Sequence, residues 1–179
     1  MRDLLTLLAA MVSQKDKVPD RRELLLDMAD RIVKYAAQQF TCKLDEVAIL
    51  LLASDEKSLR FVAPRRFVDL GTIPLTKADS IAVGVFRRKA GDFSNTIPMV
   101  KHVSFFESVK LRDRVVPIQK MVTVPILFGS RALGVAQISR KGDTSAEAGP
   151  DFTTADVRKA QEIFEATAGL LRDARPAGF

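Results

Sequence analysis

One cysteine, one histidine, one tyrosine and no tryptophan leave this 179-residue chain little of the usual chemistry. A single thiol, Cys42, excludes an internal disulfide and any zinc site of the CxxC type. It also makes a reducing, cytoplasmic compartment the expectation. A lone histidine, His102, without neighbouring cysteines or a carboxylate cluster is a poor start for a metal site. Scarce aromatic platforms disfavour binding of single-stranded nucleic acid. Long apolar runs are missing too. Leu4 to Val12 is nine residues with Thr6 included, well short of the roughly 20 that cross a bilayer. Asp3 and the lack of a small-residue cleavage site argue against a secretory signal, so no membrane partner is expected. No Ser/His/Asp set, HExxH or paired-carboxylate pattern occurs, which leaves an enzyme reading without machinery.

What the chain does carry is a normal core and an excess of positive charge. Hydrophobic residues make up 47% and charged residues 28%, and the formal net charge is +6. The basic residues are dispersed as Arg21-Arg22, Arg65-Arg66, Arg87-Arg88-Lys89 and Lys110/Arg112/Arg114. No recognised motif joins them, so they read as a solvated surface and nucleic acid is not the expected partner. A domain of this length buries roughly 70% of its unfolded surface and needs no metal or disulfide to stay folded.

Periodicity orders the rest. Leu4, Leu7, Leu8 and Met11 fall at helical spacing over residues 3–14. Asp20 and Glu23 resemble a capping box before a wide-faced helix over 21–40. Residues 46–52 form an almost continuous apolar run, as in a central strand, and 59–63 alternate. Residues 67–73 and 93–98 read as short extended pieces. Ser80 or Asp79 caps a helix ending near Lys89, and Ser104-Phe-Phe-Glu107 opens another. Strands 119–127 and 132–140 flank a tight connection at 128–131. Thr153-x-x-Asp156 caps a last helix whose Val157, Ala160, Phe164, Ala168 and Leu171 share one face.

This order predicts an α+β domain with a central antiparallel sheet. The N- and C-terminal helices should flank one face. The long loop and short-helix segment 64–118 should lie on the other and enclose a pocket. The expected organisation is an N-terminal packing or dimerisation helix over 1–19 and a domain over 20–174.

Val124-Pro125-Ile126, a short turn and Leu133-Gly134-Val135, then Phe152-Thr-Thr-Ala-Asp156 before the final helix, resemble the GAF family of sensory domains. Ser80-Ile-Ala-Val-Gly-Val-Phe86 is similar to the helix preceding that family's pocket loops. The resemblance spans about residues 20–172. It implies a small-molecule-binding sensory or regulatory domain in signal transduction. It further implies a dimer through the terminal helices and a downstream signalling partner. Members of the family bind cyclic nucleotides, bilins, haem, amino acids or metabolites, so the ligand here stays an unidentified small molecule and no cofactor is implied. The alternatives are an interaction module that only dimerises, and an enzyme of the sulfoxide-reductase type. The cyclic-nucleotide signature of the phosphodiesterase members is absent. So are the pocket-loop cysteines of the reductases and a cysteine for a bilin.

Seven residues stand as candidate ligand contacts. Arg87, at the end of the 80–89 helix, would pair a carboxylate or phosphate, although a solvated surface position with a dipole contact is the simpler account. Asn95 lies in the extended piece before the loops. His102 would bond a ligand carbonyl or simply sit in a loop. Phe105 and Phe106 would line a cavity or fill the core. Thr123 and Gln137 are polar positions inside apolar strands, and alternation alone does not say which face they point to. Cys42 reads as an incidental cysteine.

Overall fold

A computed structural model of the chain describes residues 1–69, 71–97 and 116–179. Helix α1 (Arg2–Ser13) and helix α2 (Arg21–Phe40) precede strands β1 (Val47–Leu52), β2 (Ser58–Ala63) and β3 (Thr72–Pro74). Helix α3 (Ile81–Arg88) and strand β4 (Asp92–Ser94) follow, then the long hairpin β5 (Ile118–Phe128) and β6 (Arg131–Lys141), and helix α4 (Thr154–Ala174). Among the described residues the strands form one antiparallel sheet in the order β3-β2-β1-β6-β5-β4.

The helix N-caps are residues expected from sequence, but the Asp20–Glu23 box is one-sided, because the Glu23 carboxylate bonds Arg65 instead. Asp20 accepts from the backbone N–H groups of Arg22 and Glu23 at 2.8 and 3.2 Å, which starts α2. Thr153 and Asp156 form a reciprocal capping box on α4. Ser80 accepts from the Val83 N–H and starts α3. Gly129, at φ +58°, turns the β5–β6 hairpin through the left-handed region that glycine tolerates. Gly134 has a different reason to be glycine: a Cβ there would lie 2.0 Å from the Leu50 carbonyl oxygen, where β6 crosses β1. Ile126 pairs with Gly134 and Leu127 with Ala132, so Leu133 bulges from β6 and joins the helix-side core.

One sheet face is covered by helices. Val47, Ile49 and Leu51 of β1, Val122, Val124 and Ile126 of β5, and Ala136 and Ile138 of β6 pack against α2 and α4. Leu4 and Leu8 of α1 enter the same core, so this helix closes the domain's own interior with its buried side. A second, smaller core lies on the opposite face. It gathers Leu50, Leu52, Leu59, Phe61 and Val135 beneath Phe67, Ile73 and the Ala82, Val83 and Val85 face of α3.

The segment 64–118 is used differently from the sequence expectation in one respect. Besides covering the second face through α3, it lends a short strand to each edge of the sheet, β3 beside β2 and β4 beside β5. The expected helix from Ser104 lies outside the described residues. Arg65 bonds Glu23, Asp27 and Asp30, one stripe of α2, and so ties the β2–β3 connection to the helical layer.

Candidate functional site

Register resolves what alternation alone left open. Val122 and Val124 face the helices, so Thr123 between them faces the other way. Thr123 pairs directly with Gln137, Gln137 with Ala48, and Asp92 with Thr123. The four residues form one row, Asp92–Thr123–Gln137–Ala48, running across four strands on the face away from the terminal helices. Beside it lies the row Ser94–Met121–Ser139. On the other side Pro125, Val135 and Leu50 begin the apolar half of the face, where α3 and Phe67 pack.

Accessibility changes along this face. Leu50, Leu59 and Val135 are fully buried. Ala48 and Gln137 retain partial access to solvent although β1 and β6 are the two innermost strands. Partly accessible side chains in the middle of a sheet show that the described elements leave this stretch of the face incompletely covered.

The polar groups of this stretch are ordered by their own hydrogen bonds. Gln137 Nε2 donates to Thr123 Oγ1 at 3.2 Å and lies 3.1 Å from Met121 Sδ. This network orients the carboxamide. Thr123 is almost wholly buried and acts as the fixed acceptor. Ser139 donates its hydroxyl to the Glu46 carbonyl at 3.1 Å and is engaged there. Asp92 is engaged on both oxygens, accepting from the Phe93 N–H at 2.9 Å and facing Arg88 Nη2 at 3.3 Å. Among the described residues the rows carry no net charge, with the Arg88–Asp92 pair at their exposed edge.

The structure thus brings two of the sequence candidates together, Thr123 and Gln137. Arg87 sits exposed in the last turn of α3. Asn95 serves the fold instead. Its Oδ1 accepts from the Phe152 N–H at 2.8 Å and its Nδ2 donates to the Phe152 carbonyl at 3.0 Å. That pairing fastens the β4 exit to the start of α4 and occupies both ends of the amide. His102, Phe105 and Phe106 lie outside the described residues. Ala48, Asp92 and Met121 do not stand out in the sequence. Alternation places Ala48 with Leu50 and Leu52, but only strand pairing puts it beside Gln137.

Cys42 lies with the other layer. It packs against the helix-side core and is half-buried, and burial, followed by the Glu46 carboxylate, pushes its thiol up to about 11. A thiol held protonated is a poor nucleophile at neutral pH. Among the described residues no three His, Cys, Asp or Glu side chains gather as a metal site. None of the described helices is long and apolar enough to cross a membrane.

No protein-family model matches the chain, and no curated protein matches it in sequence. Solved structures do match its shape. The GAF domain of an Acinetobacter phosphoenolpyruvate-protein phosphotransferase superposes with TM-score 0.61 at 16% identity, covering 96% of this chain and 94% of that one. The GAF domain of a two-component sensor histidine kinase from Bacillus halodurans gives 0.53 at 18%, covering 80% and 93%. A type II free methionine-R-sulfoxide reductase from Thermoplasma acidophilum gives 0.57 at 15%, covering 86% and 96%. The chain has the GAF-domain fold.

Proposed function

We propose that the protein is a sensory or regulatory domain that binds a small molecule over the Ala48–Gln137–Thr123 floor. The observation that carries this reading is the access left to Ala48 and Gln137 on the two innermost strands, beside a well-packed apolar half. Ligand sites combine such a concave surface with a few placed polar groups. The shape neighbours from a phosphotransferase and a sensor kinase fit the same role. The reading is non-enzymatic. The reductase neighbour is answered by the one thiol, which lies on the opposite side of the sheet and is held protonated. A single reduced cysteine also favours a cytoplasmic setting.

Occupancy would reach a downstream signalling protein through the helical layer. The Arg65 contacts to Glu23, Asp27 and Asp30 join the β2–β3 connection, and with it Phe67, to α2. These ion pairs are exposed, so they act as a tether more than as a source of stability.

The test is a thermal-melting screen against a metabolite panel with wild type and Ala48→Phe side by side. A ligand present at 100 times its Kd stabilises wild type by about 2.7 kcal/mol. The expected result is that this gain vanishes when the phenyl ring fills the hollow. Ligand stabilisation undiminished in folded Ala48→Phe would place the site elsewhere.

A second reading, a dimerisation module, rests on Leu7, which is 41% exposed on α1 while Leu8 beside it is fully buried. Leu7→Glu is then the informative substitution, because Leu8→Glu would damage the core itself. Light scattering should show a dimer reduced to monomer by Leu7→Glu; unchanged mass would end this reading.

A further inference from the structure

We infer that the ligand bound on this floor is uncharged and presents an amide or lactam N–H to Gln137 Oε1; the inference rests on the binding site proposed above. Gln137 Nε2 is taken up by Thr123 Oγ1 and Met121 Sδ on the neighbouring strand, which leaves Oε1 as the remaining polar atom of the carboxamide. Among the described residues nothing donates to that oxygen. A carbonyl oxygen on an inner strand asks for a hydrogen-bond donor, because leaving it unpaired when a ligand covers it costs the full loss of its water contact.

The floor also rejects charge. Among the described residues of these rows a carboxylate or phosphate would meet the Gln137 oxygen and no cation, and Arg88 of α3, at the edge, already faces Asp92 at 3.3 Å. Among the described residues of these rows an ammonium group would find no spare carboxylate, since Asp92 is held by Arg88 and by the Phe93 N–H. Burying an unpaired charge costs far more than one neutral hydrogen bond returns. A neutral N–H satisfies the oxygen without that penalty. Thr123 has a separate part as a positioning residue. It is too buried to reach a ligand well, but its hydroxyl fixes which way the Gln137 carboxamide points.

Three probes that share one ring isolate the charge: nicotinamide, nicotinate and 3-(aminomethyl)pyridine. Each is titrated by NMR into the intact chain at neutral pH, with the shifts followed at Thr123 and Gln137. Nicotinamide should bind about ten-fold more tightly than either charged relative, the size of one satisfied hydrogen bond. Gln137→Leu should remove that preference. Thr123→Val should weaken nicotinamide binding and Thr123→Ser should restore it, a rescue that a merely structural methyl group would not produce. The thermal melt of each variant confirms that it is folded. Nicotinate or the amine binding as tightly as nicotinamide at the Gln137 floor would overturn the inferred ligand class and leave the site standing. No shift at Thr123 or Gln137 with any of the three probes would overturn the site and the class together.

Discussion

The two faces of one sheet have been put to opposite uses. On the helix side apolar side chains run the length of the strands: Val47, Ile49 and Leu51, Val122, Val124 and Ile126, Ala136 and Ile138. On the other side the same strands change character halfway. Leu50, Leu59, Phe61 and Val135 are packed beneath α3 and Phe67, whereas Ala48, Gln137, Thr123 and Asp92 form a row of small or polar groups. A strand position must serve one face only, so alternating residues let one hairpin hold the fold with its valines and isoleucines and present Thr123 and Gln137, the candidate site, on the other face.

Three sets of substitutions would break or sharpen that contrast. The largest effect belongs to the helix side. Phe164→Ala removes a fully buried ring and should cost about 3–5 kcal/mol in urea denaturation. Next is a matched pair on neighbouring strands. Ala136 is 1% exposed beneath the helices and Ala48 is partly accessible on the other face. Ala136→Leu should overpack and cost about 1–3 kcal/mol, while Ala48→Leu should cost less than about 1 kcal/mol. Equal costs would erase the distinction between the faces. The smallest contrast is between polar groups. Asn95→Ala strips the Phe152 backbone of two hydrogen bonds and should cost about 1–2 kcal/mol. Gln137→Leu removes one neutral hydrogen bond, to the buried Thr123 hydroxyl, and should cost about 0.5–1.5 kcal/mol.

Much of the fold was legible in the chain because caps and periodicity are local. Asp20, Ser80 and Thr153 mark helix starts where the structure has them, and the β5–β6 hairpin follows from alternation and Gly129. The edge strands β3 and β4 show in sequence only as short extended pieces, since three residues carry too little pattern to announce their pairing. The site was legible in part. Thr123 and Gln137 stand out as polar residues in apolar strands, but their common face and contact depend on register. Ala48 gives no signal in sequence, because its place beside Gln137 depends on strand pairing. Asn95 shows the converse: a polar residue near the expected pocket loops whose amide is consumed by the backbone at the start of α4.

The central claim is that the inner strands carry an accessible hollow at Ala48, two residues from the sealed position Leu50. Thiol accessibility measures this directly. In a Cys42→Ser background, Ala48→Cys and Leu50→Cys are each exposed to methyl methanethiosulfonate under native conditions. The account predicts that the thiol at 48 reacts promptly in the folded protein and the thiol at 50 only as fast as the chain unfolds. Equal protection of the two positions would contradict it.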